Sequence, residues 1–519
     1  MKRRNFLRNT GTAVSLPIFL NGFPVSAIAG SPLFNSMNSD SDRVLVLIQL
    51  NGGNDGLNTL IPLDQYDNLY KHRSNVIIPS DNILDFTDTI GLHPNMTGIK
   101  SVYEEGQMGI VQSVGYPNQN RSHFRSTDIW TSASSSEEVI TTGWIGRYLN
   151  SIHTEYPDAY PNDQYVDPLA ITMGNVVSET CQGMTANFSL TLNDPFALGQ
   201  LTESEGSELP DTYYGEELQF LRTTLAQTNA YSENITIAAN KGNNTLEYPG
   251  GNRLAEQLKN VALLISGGLK TSIYVVSLGG FDTHADQVIE NQPLLGDHGT
   301  LLQQLSDAVQ AFQADLNQLG LSERVVTMTF SEFGRQIQSN FSLGTDHGTA
   351  APLMLFGSCV NPVILGHNPE IGQEIERQEG VPMQYDFRDV YGSVLMDWFD
   401  VEEDAVKSLL YPEFTHIPIL KDCSALTSSD WIDNIQPLEL EVSPNPCSNW
   451  VQASFETEGE WVKLSVFNAF GSELKVVTSQ KLSQGEHKIQ IDMSQFPKGH
   501  YYLRLMRDSR QVTKRFIKV

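Results

Sequence analysis

The chain has 519 residues and carries 33 basic against 61 acidic side chains, a formal net charge of −28. This length allows a large buried core and more than one domain. Such a negative surface repels nucleic acid and anionic lipid, so we expect neither as a partner. The four cysteines contain no Cys-x-x-Cys spacing, which excludes a zinc ribbon and a thioredoxin motif. One or two disulfides and unpaired buried thiols are both compatible with the sequence.

Residues 1–29 have the pattern of an export signal. Lys2, Arg3 and Arg4 precede a weakly apolar segment that is too short and too interrupted to span a bilayer, and Ala27 and Ala29 fit a small-x-small cleavage site. The segment resembles a twin-arginine signal, and a general secretory signal is the alternative. No other apolar run is long enough for a membrane helix. We therefore expect a mature protein without a transmembrane segment, exported through the periplasm and then secreted or attached to the cell surface.

Buried strands alternate with helices between residues 43 and 430. Strands are predicted at Arg43–Leu50, Met108–Val114, Ser272–Leu278, Val325–Phe330 and Pro352–Phe356, and helices at Phe124–Ser132, Arg253–Ser266 and Leu301–Leu316. This alternation predicts an α/β domain with a doubly wound, mostly parallel sheet. The polar segment 134–251 shows weak periodicity. We interpret it as an insertion or cap with one helix near residues 216–227.

Residues 438–519 have a different pattern, with short alternating strands separated by glycines, which predicts a small C-terminal β-sandwich. From residue 460 onward the charge is reversed, with 11 basic against 5 acidic residues. The Ser-Pro-Asn-Pro motif at 443–446, the Gly-His-Tyr-Tyr-Leu motif at 499–503 and the Lys-Arg-Phe-Ile-Lys ending resemble the type A sorting domain of type IX secretion. The resemblance implies that the type IX machinery is a partner and that the module is cleaved or exchanged for a lipid anchor. A carbohydrate-binding sandwich is the alternative.

Acids and histidines follow or precede three of the predicted strands. Asp282 and His284 follow one strand, Glu332 follows the next, and the pair Asp346 and His347 precedes a third apolar run. In an open α/β sheet, ligands collect at the carboxyl ends of strands. Carboxylate and imidazole groups at one point are suitable ligands for a divalent metal. The sequence therefore predicts a metal site at this edge of the sheet.

Five motifs carry a family resemblance: LIQLNGGNDGLNTLIP (47–62), NRSHFRSTDIW (120–130), GGFDTH (279–284), SEFGRQ (331–336) and DHGTAAPL (346–353). Together they resemble domain-of-unknown-function family 1501 over roughly residues 43–398. That family is grouped with alkaline phosphatases and sulfatases, which hydrolyse phosphate or sulfate esters with a metal-supported Ser or Thr nucleophile. The resemblance implies an alkaline phosphatase-like fold, a small anionic ester substrate and a divalent ion, with zinc as first choice and calcium, magnesium or manganese as alternatives.

The resemblance also implies metal ligands. Asp282 and His284 resemble the pair that holds the first metal, although the spacing is closer than usual. His347, with Asp346 before it, resembles the last histidine ligand. Asn51 occupies the place of the first metal-binding Asp, so Asp55 either substitutes for it or the site is weakened. A turn that only supplies positive φ is the alternative for this segment.

The second metal site resembles the superfamily less closely. Glu332 lies where the superfamily has an Asp, and Phe333 replaces its His. We therefore expect the first metal site to be better formed than the second. Asp297 and His298 form another Asp-His-Gly motif, which we interpret as a helix start, with competing metal ligands as the alternative.

The motif Asn120-Arg121-Ser122-His123 resembles the nucleophile motif of the phosphoglycerate mutase branch. The resemblance makes Ser122 the nucleophile at a helix start, followed by His123. Arg121 or Arg125 would clamp an oxygen of the anion. The alternative is that Ser122 is only an N-cap.

The sequence is compatible with three interpretations of the whole set. One is a secreted metal-dependent hydrolase of phosphate or sulfate esters. Another is a non-catalytic surface protein that kept the fold with a degenerate metal site, for which Asn51 and Phe333 are the evidence. In the third, the acids and histidines only make hydrogen bonds and cap helices.

Overall fold

The computed structural model describes residues 18–20, 23–25, 42–197, 228–421, 423 and 440–519, apart from 458, 460, 469–472 and 508–509. Two compact units divide the chain, at residues 1–427 and 428–519. The paired arginines, the cleavage site of the export signal and the helix predicted near residues 216–227 lie outside the described residues.

The strands of the first unit, in chain order, are β1 (Ile18–Leu20), β2 (Phe23–Val25), β3 (Val44–Asn51), β4 (Leu60–Pro62), β5 (Leu84–Asp85), β6 (Ile90–Leu92), β7 (Met108–Gly115), β8 (Ala170–Met173), β9 (Ser189–Leu192), β10 (Ile273–Gly279), β11 (Val325–Phe330), β12 (Arg335–Ser339), β13 (Thr345–His347), β14 (Ala351–Phe356), β15 (Ile364–Leu365) and β16 (Tyr385–Asp386). The α-helices with both ends described are Gly56–Thr59, Tyr66–Arg73, Thr97–Glu104, His123–Ser132, Trp144–Ile152, Arg253–Ser266, Asp297–Leu319, Phe387–Phe399 and Glu403–Leu409. Residues 228–241 are also helical.

A central sheet of nine described strands organises the first unit. Its order is β15-β7-β14-β11-β3-β10-β8-β9, with β16 also pairing with β7. The pairs of β3 with β10 and β11, of β8 with β9 and β10, and of β7 with β15 and β16 are parallel. Only β14 runs antiparallel to its neighbours β11 and β7 among these strands. The prediction of a mostly parallel sheet is confirmed.

Both faces of the sheet are buried. In β3, alternate residues such as Val46 and Ile48 belong to one apolar cluster, while Leu45 and Leu47 belong to the other. Helices Arg253–Ser266 and Asp297–Leu319 cover the first face, and helices Trp144–Ile152 and Phe387–Phe399 cover the second. This two-sided burial explains why β3 is a continuous apolar run instead of an alternating one, and it confirms the doubly wound arrangement.

The structure corrects the interpretation of residues 134–251 as an insertion or cap. This segment provides β8 and β9, which extend the central sheet in parallel beyond β10. It also provides the helix Trp144–Ile152, which packs on the sheet. Each of the two strands has only four residues, too few to produce a periodic pattern among the polar residues around them.

A disulfide joins Cys359 to Cys423, which lie 64 residues apart in sequence with Cα atoms 5.6 Å apart. The backbone supports the link, because the Lys421 N–H donates to the Cys359 carbonyl at 2.9 Å and Val360 forms a β-bridge with Leu420. Cys181 is a free, buried thiol in the same unit. The bond therefore fixes the end of the first unit beside the end of β14.

We expect the Cys359→Ser/Cys423→Ser variant to be less stable than the wild type. A disulfide that closes a loop of this length restricts the unfolded chain and so raises the free energy of the unfolded state by about 4 kcal/mol. Its loss would lower the melting temperature by roughly 5 °C. Thermal unfolding followed by circular dichroism measures the change. Wild type treated with a reductant should show the same decrease, and an unchanged melting temperature in both samples would refute this expectation.

The second unit consists of antiparallel strands: β17 (Glu441–Ser443), β18 (Trp450–Thr457), β19 (Trp461–Asn468), β20 (Glu473–Lys481), β21 (Gly485–Asp492), β22 (Gly499–Arg507) and β23 (Arg510–Lys518). Two sheets form, in the orders β17-β18-β21 and β20-β19-β22-β23. One apolar cluster joins Val451 and Phe455 of the first sheet to Leu464 and Leu503 of the second. The alternating pattern therefore places one face of each sheet in a shared core, as predicted for a small β-sandwich.

Candidate functional site

The functional segments meet at one edge of the central sheet. The parallel strands β10, β3 and β11 are adjacent, with Gly279 opposite Asn51 and Phe330 opposite Gln49. Their carboxyl ends therefore lie side by side, and the loop carrying Asp282 and His284 follows β10 directly. Because β14 is antiparallel, its first residue lies at this same edge, and the hairpin that carries His347 comes just before it.

Three imidazoles surround one oxygen of Asp282. The Nε2 atoms of His123 and His284 lie 3.3 Å from Asp282 Oδ1, and that of His347 lies 3.4 Å from it. The Nε2 atoms of His284 and His347 are 2.8 Å apart. We call His123, Asp282, His284 and His347 the histidine cluster. Ligand atoms of His123, Asp282 and His347 all lie within 4.8 Å of one another, close enough for one ion to bind them.

An oxygen atom contacts the Nδ1 atom of each imidazole, on the side of the ring that faces away from the centre of the cluster. Glu332 Oε1 lies 3.0 Å from His123 Nδ1, and Asp346 Oδ1 lies 2.8 Å from His284 Nδ1. The Nδ1 atom of His347 lies 2.7 Å from the Arg121 carbonyl oxygen, which can only accept. Oxygens in these positions favour a proton on Nδ1 and leave the Nε2 lone pair facing the centre of the cluster. This is the outer arrangement that orients histidine ligands in metal sites.

The electrostatics of the cluster fit a cation. Burial works to raise the pKa of Asp282, but the Arg335 guanidinium outweighs it and holds that pKa below its usual range, so the carboxylate is ionised at neutral pH. Burial lowers the pKa of His347, which keeps this imidazole neutral. The Nε2 atom of His123 is buried and makes no hydrogen bond within the described part of the chain. A cation between these atoms would satisfy it.

Arg335 organises the loops around the cluster and was not identified from the sequence. Its side chain is fully buried and donates to the carbonyl oxygens of Gly52, Gly53, Phe281 and Thr345. It also donates from Nη2 to Asp282 Oδ1 at 2.9 Å. One guanidinium thus joins the turn after β3, the loop after β10 and the start of β13. The presence of this arginine within the SEFGRQ motif is the only sequence signal that could have indicated this.

Glu332 and Phe333 surround the cluster without entering it. The Glu332 carboxylate is almost fully buried and accepts from the Gly52 N–H at 2.7 Å as well as contacting His123. Phe333 packs its ring 4.9 Å from the His123 ring and 4.6 Å from the His347 ring, centroid to centroid. Phe333 therefore forms an apolar wall of the site.

Asn51 and Gly52 act through the backbone. The Asn51 carbonyl accepts from the Phe281 N–H at 3.0 Å and so aligns the loop that carries Asp282. Gly52 has φ +120°, and a Cβ atom there would lie 2.2 Å from the Asp282 nitrogen. The glycine is required because the two loops approach so closely.

Asp55 lies away from the cluster, in a buried ion pair. Its carboxylate accepts from Arg73 Nη1 at 2.8 and 3.0 Å and from Gln287 Nε2 at 2.7 Å. Both oxygens are thus engaged, and the structure gives no support to Asp55 as a substitute metal ligand. His298 is also buried, with its Nε2 atom 3.0 Å from Asn54 Oδ1, and burial lowers its pKa to about 4. It lies in the first turn of the helix Asp297–Leu319, as the interpretation of that motif as a helix start requires.

Ser122 precedes the helix His123–Ser132 at the N-cap position, but its side chain makes no capping hydrogen bond. Ser122 is exposed, and its backbone N–H donates to Asn120 Oδ1 at 2.8 Å. Arg121 donates from Nη1 to the Gln378 carbonyl at 2.7 Å. Arg125 is engaged with Asp128 and with nearby carbonyl oxygens.

The fold and this cluster define a mixed α/β protein with a candidate metal centre at the carboxyl edge of its sheet. The chain belongs to the family described as "Protein of unknown function (DUF1501)", whose model matches residues 42–397. A second model, "Secretion system C-terminal sorting domain", matches residues 441–519 and supports a secreted or cell-surface location. No helix in the described ranges is both long enough and apolar enough to cross a membrane. No curated protein matches the chain.

Solved structures resemble the chain weakly. One, from work on glycosaminoglycan metabolism by Bacteroides thetaiotaomicron, has 9% identity, a TM-score of 0.32, and matches 87% of this chain and 90% of its own. A protein in the alkaline phosphatase superfamily from Vibrio parahaemolyticus has 9% identity, a TM-score of 0.31 and 88% coverage of both chains. A phosphoglycerol transferase from Streptococcus pyogenes has 9% identity, a TM-score of 0.32, and matches 75% of this chain and 83% of its own. At these values the likeness does not bear on activity.

Proposed function

We propose that this protein is a secreted, metal-dependent hydrolase of phosphate or sulfate esters, and that the histidine cluster binds one divalent ion. The observation that carries the proposal is the geometry of that cluster. Three Nε2 atoms converge on one oxygen of Asp282, and each ring is held at Nδ1 by an oxygen. A set of imidazoles that serve only as hydrogen-bonding groups has no need for this common orientation.

The proposed ion is zinc. Three imidazoles and one carboxylate match the ligands that zinc prefers, whereas calcium, magnesium and manganese prefer sites made of oxygen atoms. The surroundings also support a single ion. Phe333 provides packing where a second set of ligands would need a histidine, and Asp55 is committed to Arg73.

The proposed reaction takes place at the edge of the cluster. When bound, the ion supplies positive charge that polarises a phosphoryl or sulfuryl oxygen. Ser122 Oγ attacks phosphorus or sulfur as the bond to the alcohol oxygen breaks, and the proton that Ser122 Oγ releases ends on the leaving alcohol. The helix start at His123 and the guanidinium of Arg121 stabilise the negative charge. Water then releases phosphate or sulfate and restores the Ser122 hydroxyl.

We expect the Ser122→Ala variant of the full chain to lose turnover on the order of 10³-fold or more and to keep its metal, because it lacks the nucleophile but retains the cluster. A panel of chromogenic phosphate and sulfate esters measures turnover, and elemental analysis measures the metal. Ser80→Ala, the same change at another exposed serine, is the control and should behave as wild type. Undiminished turnover in Ser122→Ala would assign the attack to another group, such as Thr127 or a water molecule.

The second candidate is a non-catalytic surface protein that kept the fold. The observation in its favour is Phe333, whose apolar ring closes the side of the cluster where the superfamily has a ligand. Metal binding without turnover on any ester of the panel would select this candidate.

The sorting module supports the remainder of the proposal. We propose export through the periplasm, passage across the outer membrane by the type IX machinery, and removal of residues 438–519 or their exchange for a lipid anchor. The matched sorting domain supports the machinery as a partner.

A further inference from the structure

A wide cleft opens beside the histidine cluster. Its volume is about 700 Å³, within the range of roughly 300–1,000 Å³ that is usual for ligand-binding clefts. One wall is the segment 116–121, which leads into His123, and the opposite wall is the segment 376–383. Thr349, two residues beyond His347, also lines the cleft. The elements that carry two members of the cluster thus also form the cleft.

Hydrogen bonds connect the cleft to the cluster on both sides. The carbonyl of Arg121 holds the His347 ring at 2.7 Å, while its guanidinium reaches across to the Gln378 carbonyl at 2.7 Å. On the far wall, the Ile337 N–H donates to the Glu379 carbonyl at 3.0 Å, and Thr349 Oγ1 donates to the Val381 carbonyl at 2.6 Å. A group bound here would therefore be held at a fixed position relative to the metal centre.

The lining of the cleft is chemically mixed. Arg121 and Arg377 donate, Glu376 and Glu379 accept, and the amides of Asn118, Gln119 and Gln378 do both. The two charges of each sign balance, so the lining favours neither a second anionic group nor a cation. The Gln119 Nε2 atom is buried and has no hydrogen-bond partner among the described residues. A hydroxyl group both donates and accepts hydrogen bonds, so a polyol can pair with donors and acceptors at every position of such a lining. Few other ligands can do this.

We propose that this cleft binds the polyhydroxylated alcohol portion of the substrate, a sugar or sugar chain, while its phosphate or sulfate ester lies at the histidine cluster. The proposal rests on the proposed function for the ester group alone. The cleft's own recognition of hydroxyl groups requires no metal, because none of the groups named above belongs to the cluster. Arg377 and Glu376 act in specificity, and hydrolysis yields the free sugar alcohol and the inorganic anion.

The test measures binding of neutral disaccharides (cellobiose, lactose and chitobiose) to the full chain. Saturation-transfer NMR detects binding, and calorimetry gives the affinity. We expect at least one to bind in the millimolar range and to bind about tenfold more weakly to Glu376→Ala/Arg377→Ala, a loss typical of a few hydrogen bonds. Glu403→Ala/Lys407→Ala, which removes an exposed pair of the same charges on the helix Glu403–Leu409, is the matched control and should bind as wild type.

Two further results separate this proposal from the proposed function. Asp282→Asn/His347→Ala should keep disaccharide binding even if it loses all metal, so a failure of the metal hypothesis leaves the cleft testable. If the esters are hydrolysed, Glu376→Ala/Arg377→Ala should raise KM for a sugar ester and leave kcat/KM for an aryl ester unchanged. Absence of binding by all three disaccharides, equal binding by the cleft variant, or binding of triglycine in their place would overturn the proposal.

Discussion

We expect the Asp282→Asn/His347→Ala variant of the full chain to contain negligible divalent metal, whereas the wild type contains about one ion per chain. The two changes remove the carboxylate at the centre of the histidine cluster and one of its three imidazoles. Loss of a single supporting group outside the ligands typically weakens metal binding roughly 10- to 100-fold, so the loss of two proposed ligands should exceed that. Elemental analysis of purified protein, after dialysis against zinc at low concentration, measures the difference.

Asp397→Asn/His416→Ala is the matched control for this experiment. These residues form another aspartate–histidine pair, with His416 Nε2 2.9 Å from Asp397 Oδ2. Asp397 lies on the helix Phe387–Phe399, and His416 lies in the segment after the helix Glu403–Leu409. The control makes the same chemical changes and should retain wild-type metal. We expect Glu332→Gln to bind an amount of metal between those of the wild type and the double variant, because it weakens the hydrogen bond that orients the His123 ring. Equal and negligible metal in the wild type and the double variant would reject the metal centre.

The second large effect concerns stability. We expect Asp55→Ala to lower the free energy of unfolding by roughly 3–5 kcal/mol, because it leaves the Arg73 guanidinium buried without its partner. Both side chains are fully inaccessible to solvent. Arg73 also donates to the carbonyls of Gln336 and Ile337 in β12, which pairs with the strand that ends at His347. Loss of Asp55 should therefore loosen the hairpin that supports the cluster.

Urea unfolding of Asp55→Ala, Asp55→Ala/Arg73→Met and Glu403→Ala/Lys407→Ala tests this. The double change at the buried pair should cost less than Asp55→Ala alone, since no isolated charge remains, and the exposed pair should leave the midpoint unchanged. An Asp55→Ala variant with the same urea-unfolding midpoint as the wild type would contradict the buried ion pair.

The same ion pair predicts a dependence on pH. Burial works to raise the pKa of Asp55, but the charge and hydrogen bonds of Arg73 hold it below the ordinary value of 3.8. A carboxyl group whose pKa is lower in the folded state contributes its full stabilisation above the unfolded value and loses it as the pH falls through the folded value. The difference in stability between wild type and Asp55→Ala should therefore be constant near neutral pH and decrease below about pH 3.8.

The positions of the functional segments could be predicted from the sequence because each adjoins a strong strand pattern. The runs before Asp282 and Glu332, and the run after His347, are continuous and apolar, so they had to be buried strands. The prediction that their polar neighbours converge followed from the geometry of parallel sheets alone. Contacts as close as 2.8 Å between His284 and His347 confirm the convergence.

The roles within the site were less predictable. His123 was expected beside the nucleophile, and the structure instead turns its ring into the cluster, 3.3 Å from Asp282. Glu332 was expected as a ligand, and it holds that ring from behind. Each of these differences depends on the orientation of a side chain, which moves its polar atoms by a few ångströms. Residue types and spacing in a sequence do not encode that orientation.

The sequence by itself determined the α/β domain, the sorting module and the edge of the sheet where chemistry can occur, since these follow from hydrophobic periodicity and from motifs read along the chain. The tertiary structure alone decided which acid faces the cluster and which is neutralised inside the protein. Asp55 and Arg73 are 18 residues apart, and Arg335 reaches loops more than 50 residues away in sequence. Contacts over such separations form only when the sheet assembles, because packing brings together groups that no local pattern connects.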